Sequence, residues 1–285
     1  MGTLAHALVT APGATPTRWV LFLHGIFGSG SNWRGVARRF VAARPSWGAA
    51  LVDLRMHGRS QAGFAEPHTI AGAAADLHAF APLVPGPVRG VLGHSFGGKV
   101  ALDYAASREG DLDVAWIVDS TPSARQDARG SESTVHVLEI LESLPKTFAT
   151  RAAFSAAMAE AGVSAPTTEW LAMNVERHGD ALRLRLDLEA IRALLEDYFY
   201  RDMWSILEHP TGTVSTHLIV GGRSSVFNSE DQRRAQAAAL SHPGRVAYHF
   251  IADAGHWVHV DAPDALLEIL TSTAGAEGEP GGERA

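Results

Sequence analysis

A serine enclosed by glycines stands at Gly93-His94-Ser95-Phe96-Gly97-Gly98, between the apolar run Val88–Leu92 and a helical pattern that begins near Gly97. A serine on a sharp strand-to-helix turn needs small neighbours, because the backbone is strained there and other chain segments approach closely; Gly93 and Gly97 meet that need. The helix N-terminus adds free N–H groups and the positive end of its dipole, which favour negative charge beside the serine. The chemistry this suits is nucleophilic attack on a carbonyl. A hydroxyl alone is a weak nucleophile, so a base and an orienting acid must lie within reach.

Of the 14 histidines, His256 is the expected base. It lies in Ala254-Gly255-His256-Trp257, just past the apolar run Val246–Ile251. His24 is expected to anchor its own turn, His94 to point away from its neighbour Ser95, and His57 and His259 to brace loops. No pair has the H-E-x-x-H spacing of a metalloprotease, so no metal site is expected. The acid is harder to place. Thr216–Val220 is followed by Gly221-Gly222-Arg223-Ser224-Ser225-Val226-Phe227, which holds no carboxylate. Glu230 and Asp231 follow Ser229, and Ser229-x-x-Gln232 reads as a capping box, so both are expected as first-turn helix acids. Asp253 reads as a turn former. Asp119, at the carboxyl end of Ala115–Asp119, is expected at the same sheet edge as Ser95, because open α/β sheets gather ligands there. The competing account is that Asp119 only caps the turn Asp119-Ser120-Thr121-Pro122. With Asp119 as acid, the Ser224 hydroxyl is expected to bridge Asp119 and His256.

An oxyanion needs two preorganised N–H donors. Phe96 supplies one. The loop His24-Gly25-Ile26-Phe27-Gly28-Ser29-Gly30-Ser31 is expected to supply the other, from Ile26, with Phe27 as the fallback. That glycine-rich loop lacks the Lys-Ser/Thr ending of a phosphate-binding P-loop.

The elements that must position these groups are short apolar runs at Trp19–Leu23, Ala49–Asp53, Val88–Leu92, Ala115–Asp119, Thr216–Val220 and Val246–Ile251, the pattern of buried parallel strands. Helical patterns alternate with them at Ser31–Ala43, Ile70–Ala81, Gly97–Ser107 and Ser229–Leu240, so the fold class is α/β with a mostly parallel sheet flanked by helices. One crossover, from Ala115–Asp119 to Thr216–Val220, is far too long for a single helix. It reads as an inserted helical cap or lid over 121–209, with helices at Ser133–Leu144, Arg151–Ala161, Thr167–Glu176, Leu186–Glu196 and Asp202–His209. The core is then 1–120 with 210–274. The Gly/Glu-rich tail 275–285 is expected to be disordered. Apolar cap residues, Trp204 among them, together with Phe27 and Trp257, are the expected substrate contacts. The plainer account is that the cap residues pack only against one another.

The chain has 285 residues, 46% hydrophobic and 19% charged, with a net charge of −7. This composition fills a sizeable core and excludes global disorder. The negative charge offers no attraction for phosphate backbones or anionic lipid, so neither nucleic acid nor stable membrane association is expected. With no cysteine, there is no disulfide framework and no thiolate nucleophile. The N-terminal residues lack a signal-peptide pattern, and the expected location is cytoplasmic. The oligomeric state leaves no sequence signal.

With these pieces in place, residues 17–272 resemble an α/β-hydrolase. The resemblance rests on His24-Gly25 with Trp33 downstream, Asp53-Leu54-Arg55-Met56-His57-Gly58-Arg59-Ser60, Gly93-His94-Ser95-Phe96-Gly97-Gly98-Lys99 and Gly255-His256-Trp257-Val258-His259. Within that superfamily, Gly-Gly-Lys99, Ile117-Val118-Asp119 followed by Pro122, and Gly221-Gly222-Arg223-Ser224 resemble a bacterial esterase branch of which YbfF is a member. The resemblance implies hydrolysis of acyl esters and acyl-CoA thioesters without a cofactor, and an acid placed at Asp119 with Ser224 close to the base. The expected reaction is attack by Ser95, proton transfer through His256 held by Asp119, and cleavage of a small-molecule ester or thioester with a short to medium apolar acyl chain. The same triad would also serve carbon–carbon bond hydrolysis or cofactor-free perhydrolysis, and the fold alone would serve a non-catalytic binding protein.

Overall fold

The computed structural model describes residues 2–107, 111–125 and 132–275. The expected disordered tail lies, but for Gly275, outside them. Strands β1 (His6–Val9), β2 (Arg18–Leu23), β3 (Trp47–Val52), β4 (Val88–His94), β5 (Val114–Val118), β6 (Thr147–Phe148), β7 (Val175–His178), β8 (Ala181–Leu184), β9 (Ser215–Gly221) and β10 (Val246–Ile251) form two sheets. The large one has the order β1-β3-β2-β4-β5-β9-β10. Only β1 runs antiparallel, on β3; every other neighbour in that sheet is parallel. The fold is α/β, as the alternation of runs predicts.

Residues that alternate along a strand face opposite sides, and both sides here are apolar. Val20 and Phe22 join Phe40, Trp47 and Trp116 under one helix layer, whereas Leu21 and Leu23 join Val100, Ala101 and Leu77 under the other. The first layer holds α1 (Arg34–Ala43) and, at the far end of the chain, α11 (Pro263–Thr273). The second holds α2 (Ile70–Phe80), α3 (Phe96–Ala106) and α9 (Ser229–Ser241). Each wholly buried strand residue such as Leu21 or Phe22 contributes roughly 1.5–3 kcal/mol.

The chain leaves β2 outward to β3 and returns across it to β4. Connections therefore diverge between β2 and β4, which opens a crevice at the carboxyl ends of those strands. The loop after Leu23 and the turn at Ser95 both border it. Register sets the third component: His94 pairs with Val118 and Val118 with Ile219, so Ser95 and Asp119 each lie one residue past a matched strand end.

The long crossover between β5 and β9 carries α4 (Glu132–Ser143), α5 (Arg151–Glu160), α6 (Ala165–Ala172), α7 (Leu188–Tyr200) and α8 (Trp204–Glu208). It is not all helical. Thr167–Glu176, expected as one helix, ends at Ala172 and turns into β7, and β6, β8 and β7 form a three-stranded antiparallel sheet. Gly179, at φ 61, closes the β7–β8 hairpin in a conformation that favours glycine. Outside the insertion, α10 (Val258–Asp261) follows the His256 loop. No helix among the described residues is long and apolar enough to cross a membrane.

Candidate active site

Ser95 caps α3 with φ 53 and ψ −119, a conformation rarely adopted by a non-glycine residue. Its N–H donates to the Val118 carbonyl (3.0 Å) and its carbonyl accepts from Gly98 N–H (2.8 Å), so the turn is held from both sides. The flanking glycines are sterically required. A Cβ on Gly93 would lie 2.0 Å from the Gly97 carbonyl oxygen, and one on Gly97 would lie 2.4 Å from the His24 carbonyl oxygen.

Asp119, wholly buried and itself at φ 43, follows β5 directly. Its Oδ1 accepts from Gly221 N–H (3.1 Å), and its Oδ2 accepts from His256 Nδ1 (2.7 Å) and from the Ser224 hydroxyl (2.5 Å). The proton on His256 is thereby fixed at Nδ1, which leaves Nε2 as the basic nitrogen. The side chain of His256 is 37% exposed, whereas the carboxylate beneath it is fully enclosed. Ser224 does not bridge the pair as expected. Its hydroxyl shares Oδ2 with the imidazole and accepts from Val226 N–H (3.2 Å). It therefore fixes the carboxylate rather than the base.

The alternative acid is engaged elsewhere. Asp231 is buried and accepts from Ser123 (2.5 Å) and Thr121 (3.0 Å), and it forms an ion pair with Arg125. The cap of α9 sits one residue earlier than Ser229-x-x-Gln232, because Asn228 and Asp231 exchange the side-chain-to-backbone bonds. Asp253 pairs with Arg223 at the surface.

Buried histidines frame the base. His94 donates from Nε2 to the His256 carbonyl (2.8 Å), its ring 4.6 Å from that of His256. Burial, then the neighbouring His256 and His259, hold His94 well below its ordinary pKa, so it stays neutral. His24 donates from Nδ1 to the Gly25 carbonyl (2.7 Å) and accepts on Nε2 from Leu54 N–H (3.0 Å); burial pushes its pKa down to about 4.

Phe96 opens α3, so its N–H has no intrahelical acceptor. Gly25 to Gly28 form a turn closed by Gly28 N–H on the Gly25 carbonyl (3.0 Å), with Phe27 at φ 62. The Ile26 N–H takes no part in that closing bond. Phe27, 1% exposed, lies edge-on to Trp170 at 6.1 Å, and Trp170 in turn faces the half-buried Trp257 at 5.7 Å. Trp204 sits apart from this group. It is wholly enclosed, its indole donates to Ser123 Oγ (2.7 Å), and the Arg234 guanidinium covers its ring at 4.5 Å. A side chain so engaged packs the base of the insertion and offers no surface to a ligand.

Two further side chains have roles that the sequence does not assign, although Gly97-Gly98-Lys99 is part of the resemblance. Lys99, 1% exposed, donates to the carbonyls of Ser123 (2.9 Å), Tyr198 (2.7 Å) and Arg201 (2.6 Å), tying α3 to both feet of the insertion. Burial pushes its ammonium down to about 7, and three carbonyl acceptors engage all three protons of the charged form. Asn174, 4% exposed, donates from Nδ2 to the Phe27 carbonyl (2.7 Å). Among the described residues no cluster of three His, Asp or Glu side chains is arranged to hold a metal ion.

Comparison with known proteins follows the same outline. Residues 20–269 match the alpha/beta hydrolase family. The sn-1-specific diacylglycerol lipase ABHD11 of Danio rerio is 30% identical over 267 residues, covering 88% of this chain and 77% of the relative. Esterase YbfF of Escherichia coli is 27% identical over 258 residues, covering 88% and 91%. Among solved structures, a marine microorganism esterase superposes with a TM-score of 0.80 at 21% identity, covering 96% of this chain and all of that one.

Proposed function

The chain belongs to the alpha/beta hydrolase family and is a hydrolase of ester bonds; within that activity we propose that Ser95, His256 and Asp119 form its catalytic triad. The observation that carries this reading is the buried Asp119 carboxylate 2.7 Å from His256 Nδ1, at the sheet edge where the strained Ser95 turn emerges. Ser95 attacks the acyl carbonyl while His256 Nε2 takes its proton, and Asp119 stabilises the imidazolium that forms. The Ile26 and Phe96 N–H groups hold the oxyanion, each worth about 3 kcal/mol to the transition state. His256 then protonates the departing alcohol or thiol, and water attacks the acyl-enzyme by the reverse route. No cofactor enters these steps.

Residues 121–209 act as a cap on the core formed by 1–120 and 210–274. The substrate is a small-molecule ester with a short to medium apolar acyl chain, with acyl thioesters as a secondary class. Trp170 and Trp257, both half-buried, support this preference, since they present aromatic rather than charged surface next to the base, whereas Phe27, expected as a substrate contact, is 1% exposed and packs against Trp170 instead.

The test is hydrolysis of p-nitrophenyl esters from acetyl to palmitoyl, with a chelator present, by the wild type and by Ser95→Ala. Chelator-insensitive turnover with an optimum at short to medium chains is expected, with at least a ~1,000-fold loss in Ser95→Ala. A wild type inactive on every ester, or a Ser95→Ala variant that retains turnover, overturns the reading.

A further inference from the structure

We propose that Asn174 is a positioning residue through which the cap sets the oxyanion donor of Ile26. The proposal rests on the triad reading above, because it concerns the hole that serves the same reaction. The loop in question is intrinsically unfavourable. Phe27 holds φ 62 without being glycine, a conformation that costs on the order of 1–3 kcal/mol and persists only where surroundings over-determine it. If the Phe27 peptide relaxed, the Gly25–Gly28 turn would unwind and move the Ile26 N–H assigned above to the oxyanion.

Four contacts oppose that relaxation. Within the loop, Gly28 N–H and His24 Nδ1–H both bind the Gly25 carbonyl. The other two come from the cap. Trp170 covers the Phe27 ring, and Asn174 Nδ2 donates to the Phe27 carbonyl at 2.7 Å. Asn174 is itself rigid: its N–H binds the Leu171 carbonyl (2.9 Å) and its carbonyl accepts from Arg185 N–H (2.8 Å), locking it between the end of α6 and the exit of β8. The bond to Phe27 thus joins the cap to the loop that carries the second donor. An oxyanion donor acts only when aimed at the developing charge, so a small misplacement of the loop lowers kcat while leaving substrate binding largely intact.

The experiment uses two variants of the full chain, with kcat counted per active site titrated by a fluorophosphonate. Asn174→Ala removes the donor; kcat is expected to fall roughly 10- to 100-fold, short of the 10²–10³ seen for outright loss of a hole donor, with KM within twofold. Asn174→Asp keeps the shape but, when ionised, sets a carboxylate against the Phe27 carbonyl. When protonated its O–H donates in place of the amide, and burial raises the pH at which this occurs. The ratio of its kcat to that of the wild type is therefore expected to recover several-fold as pH falls from 8 to 5, whereas the Asn174→Ala ratio stays flat. A packing role alone would lower thermal stability without that pH signature. An active wild type with Asn174→Ala within twofold in kcat, or a flat Asn174→Asp ratio, overturns the positioning role and leaves the triad standing. Ser95→Ala retaining turnover overturns both.

Discussion

Asp119→Asn separates the triad from every other account of this carboxylate, and its effect can be worked from the hydrogen bonds. The carboxylate accepts three of them, one on Oδ1 from Gly221 N–H and two on Oδ2 from His256 and Ser224. An amide of the same shape can keep its oxygen on only one side. If the oxygen faced His256, the NH₂ would confront the buried Gly221 N–H and leave it unpaired, at about 1–3 kcal/mol. The favoured orientation keeps oxygen on Gly221 and turns NH₂ toward His256 and Ser224. The Ser224 hydroxyl then accepts, and the imidazole proton moves to Nε2. Only the hydroxyl hydrogen of the partly exposed Ser224 loses its acceptor, so stability changes little, but the nitrogen that must take the Ser95 proton is already protonated. The same substitution in the chymotrypsin triad lowers kcat about 10⁴-fold, which corresponds to about 5 kcal/mol of transition-state stabilisation, and a loss of that size is expected here. The assay is kcat on the preferred p-nitrophenyl ester, normalised to folded protein by a urea transition. Asp231→Asn serves as control, since its carboxylate is occupied by Arg125, Ser123 and Thr121. Asp119→Asn within tenfold of wild type, or Asp231→Asn falling as far with its fold intact, refutes the assignment.

Two further outcomes follow from packing and protonation. Gly93→Ala places a Cβ 2.0 Å from a backbone oxygen of α3 that cannot yield without moving the helix, so a loss of at least about 3 kcal/mol in urea unfolding is expected, and a wild-type midpoint would contradict it. Stability should also fall in mild acid. Burial pushes His24 and His259 down to about 4 and His57 to about 3, so the folded chain keeps them neutral while the unfolded chain takes up protons below about 6.5. The unfolded state then binds more protons, and each such histidine removes up to about 1.4 kcal/mol per pH unit between 6.5 and roughly 4. Urea midpoints unchanged between pH 7.5 and 5 would contradict this.

Where a side chain's placement follows from its immediate neighbours, the sequence is enough to locate it. Ser95 needed only the glycines on either side and an apolar run before it. His256 and Asp119 needed the further rule that strand ends share an edge, and the absence of any carboxylate between Gly221 and Phe227 directed attention to Asp119. The small strands are a different case. Val175-Glu176-Arg177-His178 and Ala181-Leu182-Arg183-Leu184 are too short and too exposed to show a period of two, and their pairing is settled by the hairpin at Gly179. β1 is similarly short and lies at the sheet edge. Trp204 departs from expectation because an aromatic in an apolar insertion has the same sequence signature whether it faces a ligand or, as here, Ser123. Asn174 acts on a backbone carbonyl far away in the chain, and a carbonyl acceptor leaves no residue-type signature; Lys99 is marked only by the resemblance of Gly97-Gly98-Lys99, which does not tell which carbonyls it binds.

Asp119 also has an architectural aspect. It is the residue at which the chain departs into the insertion, and its partners Gly221 and Ser224 are met just after the chain returns, with Asp119 N–H on the Ile219 carbonyl closing the gate (2.7 Å). The detour begins and ends on a single carboxylate, so its length is of no concern to the triad: closing a longer loop costs only about 0.6 kcal/mol per doubling. The insertion is in this sense an interchangeable module plugged into a fixed socket. If the insertion is the cap proposed above, exchanging it for one from another hydrolase is expected to alter which acyl groups are admitted, provided the incoming segment supplies a donor for Phe27 and carbonyls for Lys99.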